Sequence, residues 1–162
     1  MILTSYFYQV RWFTPEYVPF STAVWDPKWF HNNMGNKWVF KDKNGVINGL
    51  RCIDLVPGSQ LQDLCRGPEN CNQLNSCNFL SGYAKQISNV DMKKLEKELI
   101  DRAIHAADKL GVSLNAEPIP VLMFFETPDN PCSERVKVIE RLHQCKVDTY
   151  EWRKYGTEEC YL

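Results

Sequence analysis

The sequence lacks the features that mark exported, membrane-spanning or generally polyanion-binding proteins. Its first residues show no basic segment followed by a long apolar core, so we expect no secretory signal. No apolar run approaches the roughly 20 residues that cross a bilayer. The formal net charge is -1, so the total charge does not indicate a nucleic-acid partner, although it leaves a local basic patch open. We therefore predict that the chain has no membrane partner.

The motifs of familiar cofactor and catalytic sites are also absent. The chain contains no G-x-G-x-x-G, Walker loop or H-E-x-x-H motif and no Ser/His/Asp signature, and we predict no cofactor. It shows no internal repeat, low-complexity segment or linker. Its 162 residues therefore predict a single α/β domain over residues 1–162.

The cysteines favour reduced thiols over a disulfide framework. There are seven, an odd number, and no export signal accompanies them, so we expect a cytoplasmic protein. Cys65, Cys71 and Cys77 lie in a polar, Asn-rich stretch with Cys52 upstream. Structural zinc ligands usually pair at two to four intervening residues. The wider spacing here favours free thiols packed under a loop, with a metal site at these four cysteines as the weaker alternative.

Apolar patterning predicts strands that alternate with helices. The expected strands cover residues 1–10, 17–24, 121–125 and 147–152, and Asn44-Gly45 predicts the turn of a small hairpin. Helices are expected at 79–87, at 91–110 and from residue 132, followed by a loosely held tail from residue 153. This order predicts a three-layer sandwich with a mainly parallel, Rossmann-like central sheet. A loop-rich excursion containing aromatic residues and cysteines interrupts it.

The stretch from residue 120 to 142 carries the main candidate site. A buried strand ends at Glu126, and after a turn the predicted helix begins with Cys132, Ser133, Glu134 and Arg135. In open α/β sheets, ligands bind where strands end and helices begin, and helix N-termini favour anions. We therefore expect a small anionic ligand such as a nucleotide at this position, with Ser133 and Arg135 among the binding residues.

Each of these side chains has more than one reading. Cys132 is a nucleophile if the helix start and Arg135 lower its thiol pKa. In a second interpretation, Arg135 binds a phosphate or carboxylate bidentately without a covalent step. In a third, Glu134 neutralises Arg135 and the helix start is purely structural. Glu126 acts as a general acid or base, contacts a ribose hydroxyl, or caps the helix. We assign Glu126 and Cys132 as the candidate catalytic residues.

Further ligand contacts are expected from two neighbouring segments. Ser5 and Tyr6 lie in the first predicted strand, where polar groups either satisfy buried backbone or face a ligand. Trp25 and Asp26 begin an aromatic loop that continues through residues 29–30. These rings stack on a planar ligand such as a base, or they cover one end of the sheet.

Several segments together resemble a known family. ILTSYF, VPFSTAVWDPKWF, FLSGY, VLMFFETPDNPCSER and YEW are similar to the bacterial and phage family called domain of unknown function 488. The family motif is a strand, an acidic residue and Cys-His-Arg at a helix start. Glu126 matches the acid and Cys132 the cysteine, but Ser133 and Glu134 precede Arg135 where the family has His. The resemblance implies a three-layer α/β fold in an intracellular protein and a site at Cys132 and Arg135, without an assigned activity.

These observations lead to three functional hypotheses. The first is an enzyme that processes a nucleotide or nucleobase, cleaving an N-glycosidic bond, with Glu126 as the acid or base and the aromatic loop stacking the base. The second is a non-catalytic binder of a small nucleotide or a protein partner. The third is thiol-dependent redox chemistry or sulfur transfer at Cys132. The sequence leaves the oligomeric state open.

Overall fold

A six-stranded sheet organises the fold, with strand order β5-β2-β6-β1-β7-β8. The structure is a computed structural model, and it describes residues 1–31, 38–62, 64 and 77–160. The described strands are β1 (Ile2–Tyr6), β2 (Tyr17–Ser21), β3 (Phe40–Lys41), β4 (Ile47–Asn48), β5 (Leu50–Arg51), β6 (Ile119–Phe124), β7 (Thr149–Arg153) and β8 (Gly156–Glu159). The described α-helices are α1 (Ser59–Gln62), α2 (Asn78–Ile87), α3 (Met92–Leu110) and α4 (Arg135–Gln144).

All neighbouring pairs in this sheet are parallel except the last, in which β8 runs antiparallel to β7. The central strand β1 lies between β6 and β7, and its first four residues are buried. Such burial on both faces explains why β1 and β6 are continuous apolar runs rather than alternating ones. Pro19 is tolerated in β2 because β5 pairs with that strand only from Phe20 onward.

The two faces of the sheet are covered differently. On one face, which we call the helical face, α2, α3 and α4 pack against Ile2, Val18 and Leu122. On the other face, which we call the aromatic face, Leu3 and Val121 contact residues of two short 3-10 helices, Phe7–Trp12 and Lys28–Phe30. Alternate residues of β1 and β6 therefore feed two separate cores, as the period of a strand requires.

The mixed α/β fold and the mainly parallel sheet are confirmed. Helix α3 also follows its prediction closely: the Asp91 carboxylate accepts from the backbone N–H groups of Lys93 and Lys94, and Gly111 ends the helix with φ 67°. The hairpin of β3 and β4 forms around Gly45, as predicted, with φ 80°. The three-layer arrangement and the Rossmann-like character stay predictions.

Several boundaries differ from expectation, and β2, for example, ends at Ser21 rather than at residue 24. The first strand ends at Tyr6 rather than Val10, because the chain turns there into the 3-10 helix that covers the aromatic face. The tail expected to be loose instead forms β8, which extends the sheet beside β7. The polar side chains of β8 do not predict a strand. The segment is ordered because its backbone pairs with the free edge of β7. Over the described part of the chain, no helix has both the length and the apolar character to cross a membrane.

Candidate functional site

The carboxyl ends of β1 and β6 lie next to each other at one edge of the sheet. The chain leaves β1 toward the aromatic face, where Phe7 and Val10 are buried. It leaves the adjacent strand β6 and reaches the opposite face, where Val138 and Leu142 of α4 are buried. Connections that diverge to opposite faces open a crevice between two parallel strands, and ligands bind in such crevices in open α/β sheets. We call this position the β1–β6 crevice.

Arg135 ties the two sides of this crevice together. Its side chain is buried, with the residue only 2% exposed. Nη2 donates to the carbonyl oxygens of Ser5, at 3.2 Å, and Glu126, at 2.7 Å. Nη1 donates to Glu151 Oε2 at 2.5 Å, and the guanidinium carbon lies 4.9 Å from the Phe124 ring centroid. The structure therefore brings Ser5, Glu126 and Arg135 together, although through the backbone of the first two.

Glu151 is the buried counter-charge of Arg135, and the sequence reading missed it. Its Oε2 also accepts a hydrogen bond from Thr4 Oγ1 at 2.5 Å. Burial raises the pKa of Glu151, while the nearby Arg135 charge and the Thr4 hydroxyl act in the opposite direction. A glutamate at the second-last position of the strand predicted over residues 147–152 was the available signal, because a carboxylate buried in a sheet requires a partner.

The start of α4 corrects one prediction. The helix begins at Arg135, three residues later than expected, and Glu134 is its N-cap residue. Cys132 lies in the preceding turn, where its N–H donates to Asn130 Oδ1 at 2.9 Å. The dipole effect is confined to the first turn of a helix. Because Cys132 precedes that turn, the helix dipole is not a reason to expect a reactive thiol there.

Ser133 connects Glu126 to the start of α4. Its hydroxyl donates to Glu126 Oε2 at 3.1 Å and accepts from the Arg135 N–H at 3.2 Å. This buried hydroxyl therefore holds the Glu126 carboxylate beside the helix N-terminus. The sequence placed Ser133 at the site as a ligand contact, and the structure shows it as a link between two site elements.

Glu134 and Glu126 form a pair of interacting carboxyl groups. Burial, and then the negative charge of Glu126, raise the pKa of Glu134 to about 7. Arg135 forms its ion pair with Glu151 and not with Glu134, the partner that the sequence offered. A carboxyl group that titrates near neutral pH is suited to proton transfer.

Asp26 belongs to a neighbouring cluster at the end of β2. Its buried carboxylate accepts from the Ser21 hydroxyl, from Arg51 Nη1 at 2.8 Å, and lies 3.3 Å from His31 Nε2. These neighbours satisfy the Asp26 carboxylate, and neither Glu126 nor Arg135 is among its partners. Trp25, one residue earlier, is exposed.

Aromatic rings border the crevice, but they are not the expected set. Phe125 follows β6 directly and is 54% exposed, and Trp29 is 51% exposed. The ring of Phe7 lies between them, with centroids 5.0 Å from Phe125 and 6.2 Å from Trp29. Phe30 is buried in the core of the aromatic face.

The other predicted groups have local roles. The Tyr6 hydroxyl accepts from Gln9 Nε2 at 2.5 Å. Cys77 caps α2 by accepting from the Leu80 N–H at 3.5 Å, and burial raises the pKa of Cys52 to about 12. Cys65 and Cys71 lie outside the described residues, so the four-cysteine metal site stays a prediction. Within the described ranges, no three His, Cys, Asp or Glu side chains group to hold a metal.

The chain was compared with protein families, with curated proteins and with solved structures. No family model, curated protein or solved structure matches it. The resemblance to the domain of unknown function 488 family therefore rests on the sequence segments quoted above and stays a prediction.

Proposed function

We propose that the chain is an enzyme that processes a nucleotide or nucleobase by cleaving an N-glycosidic bond in the β1–β6 crevice. The observation that carries this proposal is the carboxyl pair of Glu126 and Glu134 at the carboxyl end of β6, beside the start of α4. Such a pair supplies the two roles that glycoside hydrolysis requires. We include in this proposal the three-layer, Rossmann-like arrangement of the fold and a cytoplasmic location, both predicted from the sequence.

The two carboxyl groups take different roles in this reaction. Glu134 holds a proton near neutral pH because of burial and the Glu126 charge, and it protonates the leaving base. Glu126, held by the Ser133 hydroxyl, stabilises the positive charge that develops at the sugar and directs a water to its anomeric carbon. The carbon–nitrogen bond breaks, a carbon–oxygen bond forms, and the water proton passes to Glu126.

Groups suited to ligand binding adjoin Glu126, which directly follows Phe125 in the chain. Phe125 and Trp29 present half-exposed rings on which a base stacks. Both terminal nitrogens of Arg135 are engaged, whereas Nε has no hydrogen-bond partner. In this proposal Arg135 mainly positions the crevice, and an anion contact through Nε stays a prediction.

The test is a panel of nucleosides, nucleotides and modified nucleosides, with release of free base measured by chromatography. We expect Glu134→Gln and Glu126→Gln each to lower the rate by at least about 100-fold, because each removes an acid–base group. Glu117→Gln is the matched control, because this exposed carboxyl precedes β6 and Glu126 follows it, so the two lie at opposite ends of the strand. The wild-type rate should fall as pH rises above the Glu134 pKa of about 7, because Glu134 then loses its proton.

If no member of the panel releases free base, the proposed cleavage of an N-glycosidic bond is contradicted. Calorimetric titration of the same panel then separates the alternatives. Binding that Phe125→Ala weakens, without turnover, would favour the non-catalytic nucleotide binder at the same crevice. The absence of both binding and turnover would remove the crevice from consideration.

A further inference from the structure

A second surface, on the aromatic face, combines cationic and aromatic side chains. Tyr8 and Arg11 of the first 3-10 helix, Trp29, and Lys41 and Lys43 of the β3–β4 hairpin line a cleft of about 680 Å³. We call it the basic–aromatic cleft. Its lining shares Phe7 and Trp29 with the aromatic border of the crevice but does not include Glu126, Glu134 or Arg135, so the cleft adjoins the proposed catalytic pair without containing it.

The cleft is positively charged although the whole chain has a formal charge of -1. Its lining contains three cationic side chains, Arg11, Lys41 and Lys43, and a single carboxylate, Asp42. The Asp42 carboxylate is occupied locally: Oδ1 accepts from the backbone N–H groups of Asn44 and Val46 at 2.8 and 3.0 Å. None of the three cations forms an ion pair with a described carboxylate.

Aromatic rings and cations alternate beyond the cleft. The Arg11 guanidinium carbon lies 3.6 Å from the Tyr8 ring centroid and 5.5 Å from the Trp12 ring centroid. Lys154 Nζ lies 5.1 Å from the same Trp12 ring and 5.3 Å from Tyr155, which is 92% exposed. The surface therefore continues from the cleft, across Trp12, to the turn between β7 and β8.

We propose that the basic–aromatic cleft and its extension to Tyr155 bind single-stranded nucleic acid. Exposed rings offer stacking platforms for unpaired bases, and interspersed cations neutralise the phosphates between them. A duplex keeps its bases stacked inside and leaves the rings unused. An acidic peptide would pair with Arg11, Lys41 and Lys43 but would gain nothing from Tyr155. The inference goes beyond base release at the crevice and does not depend on it.

The experiment measures fluorescence anisotropy of labelled oligothymidylate and oligouridylate of about 15 nucleotides, a length typical of single-strand sites. The variants are Lys41→Glu/Lys43→Glu and Tyr155→Ala, with Lys93→Glu/Lys97→Glu as the control. The control makes the same charge change on exposed lysines of α3, which packs on the helical face. Circular dichroism checks that each variant is folded.

We expect the Lys41/Lys43 variant to weaken binding at least about tenfold and to reduce its salt dependence, because two phosphate contacts are lost. Tyr155→Ala should weaken binding at least about fivefold, the lower end for a lost base stack. The Lys93/Lys97 control should bind like the wild type. Comparison of the two oligonucleotides shows whether DNA or RNA is preferred.

Three outcomes would overturn the inference. The first is no binding by the wild type at low salt. The second is equal loss in the Lys41/Lys43 variant and the Lys93/Lys97 control, which indicates a response to net charge alone. The third is equally tight binding of duplex DNA or polyglutamate together with no effect of Tyr155→Ala, which indicates a general polyanion surface.

Discussion

Arg135 and Arg11 occupy two contrasting regions of the same molecule. Arg135 lies in the β1–β6 crevice, buried, with one carboxylate and two backbone carbonyls as acceptors. Arg11 lies on the basic–aromatic cleft, exposed, with its guanidinium over the rings of Tyr8 and Trp12. An arginine side chain therefore connects buried segments in one region and presents its charge to solvent in the other.

Desolvation explains the difference. A guanidinium taken out of water needs a counter-charge and several acceptors, so Arg135 is committed to its neighbours. The exposed Arg11 guanidinium donates one hydrogen bond from Nε to the Tyr8 carbonyl oxygen and is weakly attracted to the rings, so its charge is still available to a mobile ligand. The candidate sites differ accordingly: the crevice offers tuned proton chemistry, and the cleft offers charge and stacking surface.

The largest expected effect breaks the buried pair. Arg135→Met should lower the free energy of unfolding by about 3–5 kcal/mol, because it leaves the Glu151 carboxylate buried without a cation. The loss should be smaller in mild acid, where Glu151 accepts a proton. Urea denaturation measures both values. The double variant Arg135→Met/Glu151→Leu should recover most of the loss, and a single variant as stable as the wild type would show that the pair does not hold the crevice.

A smaller effect concerns the carboxyl pair. The folded protein holds a proton on Glu134 up to about pH 7, whereas the ordinary value is 4.5. The folded state therefore binds more protons between these values, and stability falls as the pH rises from 4.5 to about 7. At about pH 8, Glu134→Gln should be more stable than the wild type by about 3 kcal/mol, since it removes an unfavourable buried charge.

Denaturation at several pH values measures this difference. Glu134→Gln should show a flatter pH dependence between mild acid and neutrality, although Glu151, whose pKa burial also raises, keeps a slope of the same sign in both proteins. Glu117→Gln should leave the curve unchanged. Parallel curves for the wild type and Glu134→Gln would show that Glu134 is well solvated and would weaken its role as a proton donor.

The smallest expected effect on stability comes from the exposed region. Arg11→Ala should change the free energy of unfolding by no more than about 1 kcal/mol, the value of an exposed cation–π contact. The same variant should nevertheless weaken oligonucleotide binding. A loss of stability comparable to that of Arg135→Met would mean that Arg11 is structural, and the contrast between the two arginines would disappear.

Local patterns predicted the regular elements well. The apolar stripe, Asp91 and Gly111 predict α3 to within a residue, because capping and helical periodicity are short-range properties. The buried strand before Glu126 is also predicted. The start of α4 was misplaced because the Asn130 side chain holds Cys132 in a turn, and β8 was missed because its order depends on a sheet edge.

The sequence predicted where the candidate site lies in the chain, but not which residues contact one another there. Glu126, Ser133 and Arg135 were selected because they follow a buried strand, and the structure brings them together at the crevice. The partner of Arg135 was not predicted, since Glu151 lies on a different strand. Phe125 was treated as part of the strand, and only its exposure beside Phe7 shows it as a ring available to a ligand.

The sequence by itself determined which segments are buried strands, where α3 begins and ends, and which strand end carries the acidic and hydroxyl groups. Those properties depend on residues within a few positions of one another. Tertiary structure decided which arginine is buried, which carboxylate neutralises it, and which cations meet aromatic rings on one face. These outcomes depend on contacts between distant segments, such as Arg135 with Ser5 and Lys154 with Trp12, which only the path of the chain brings together.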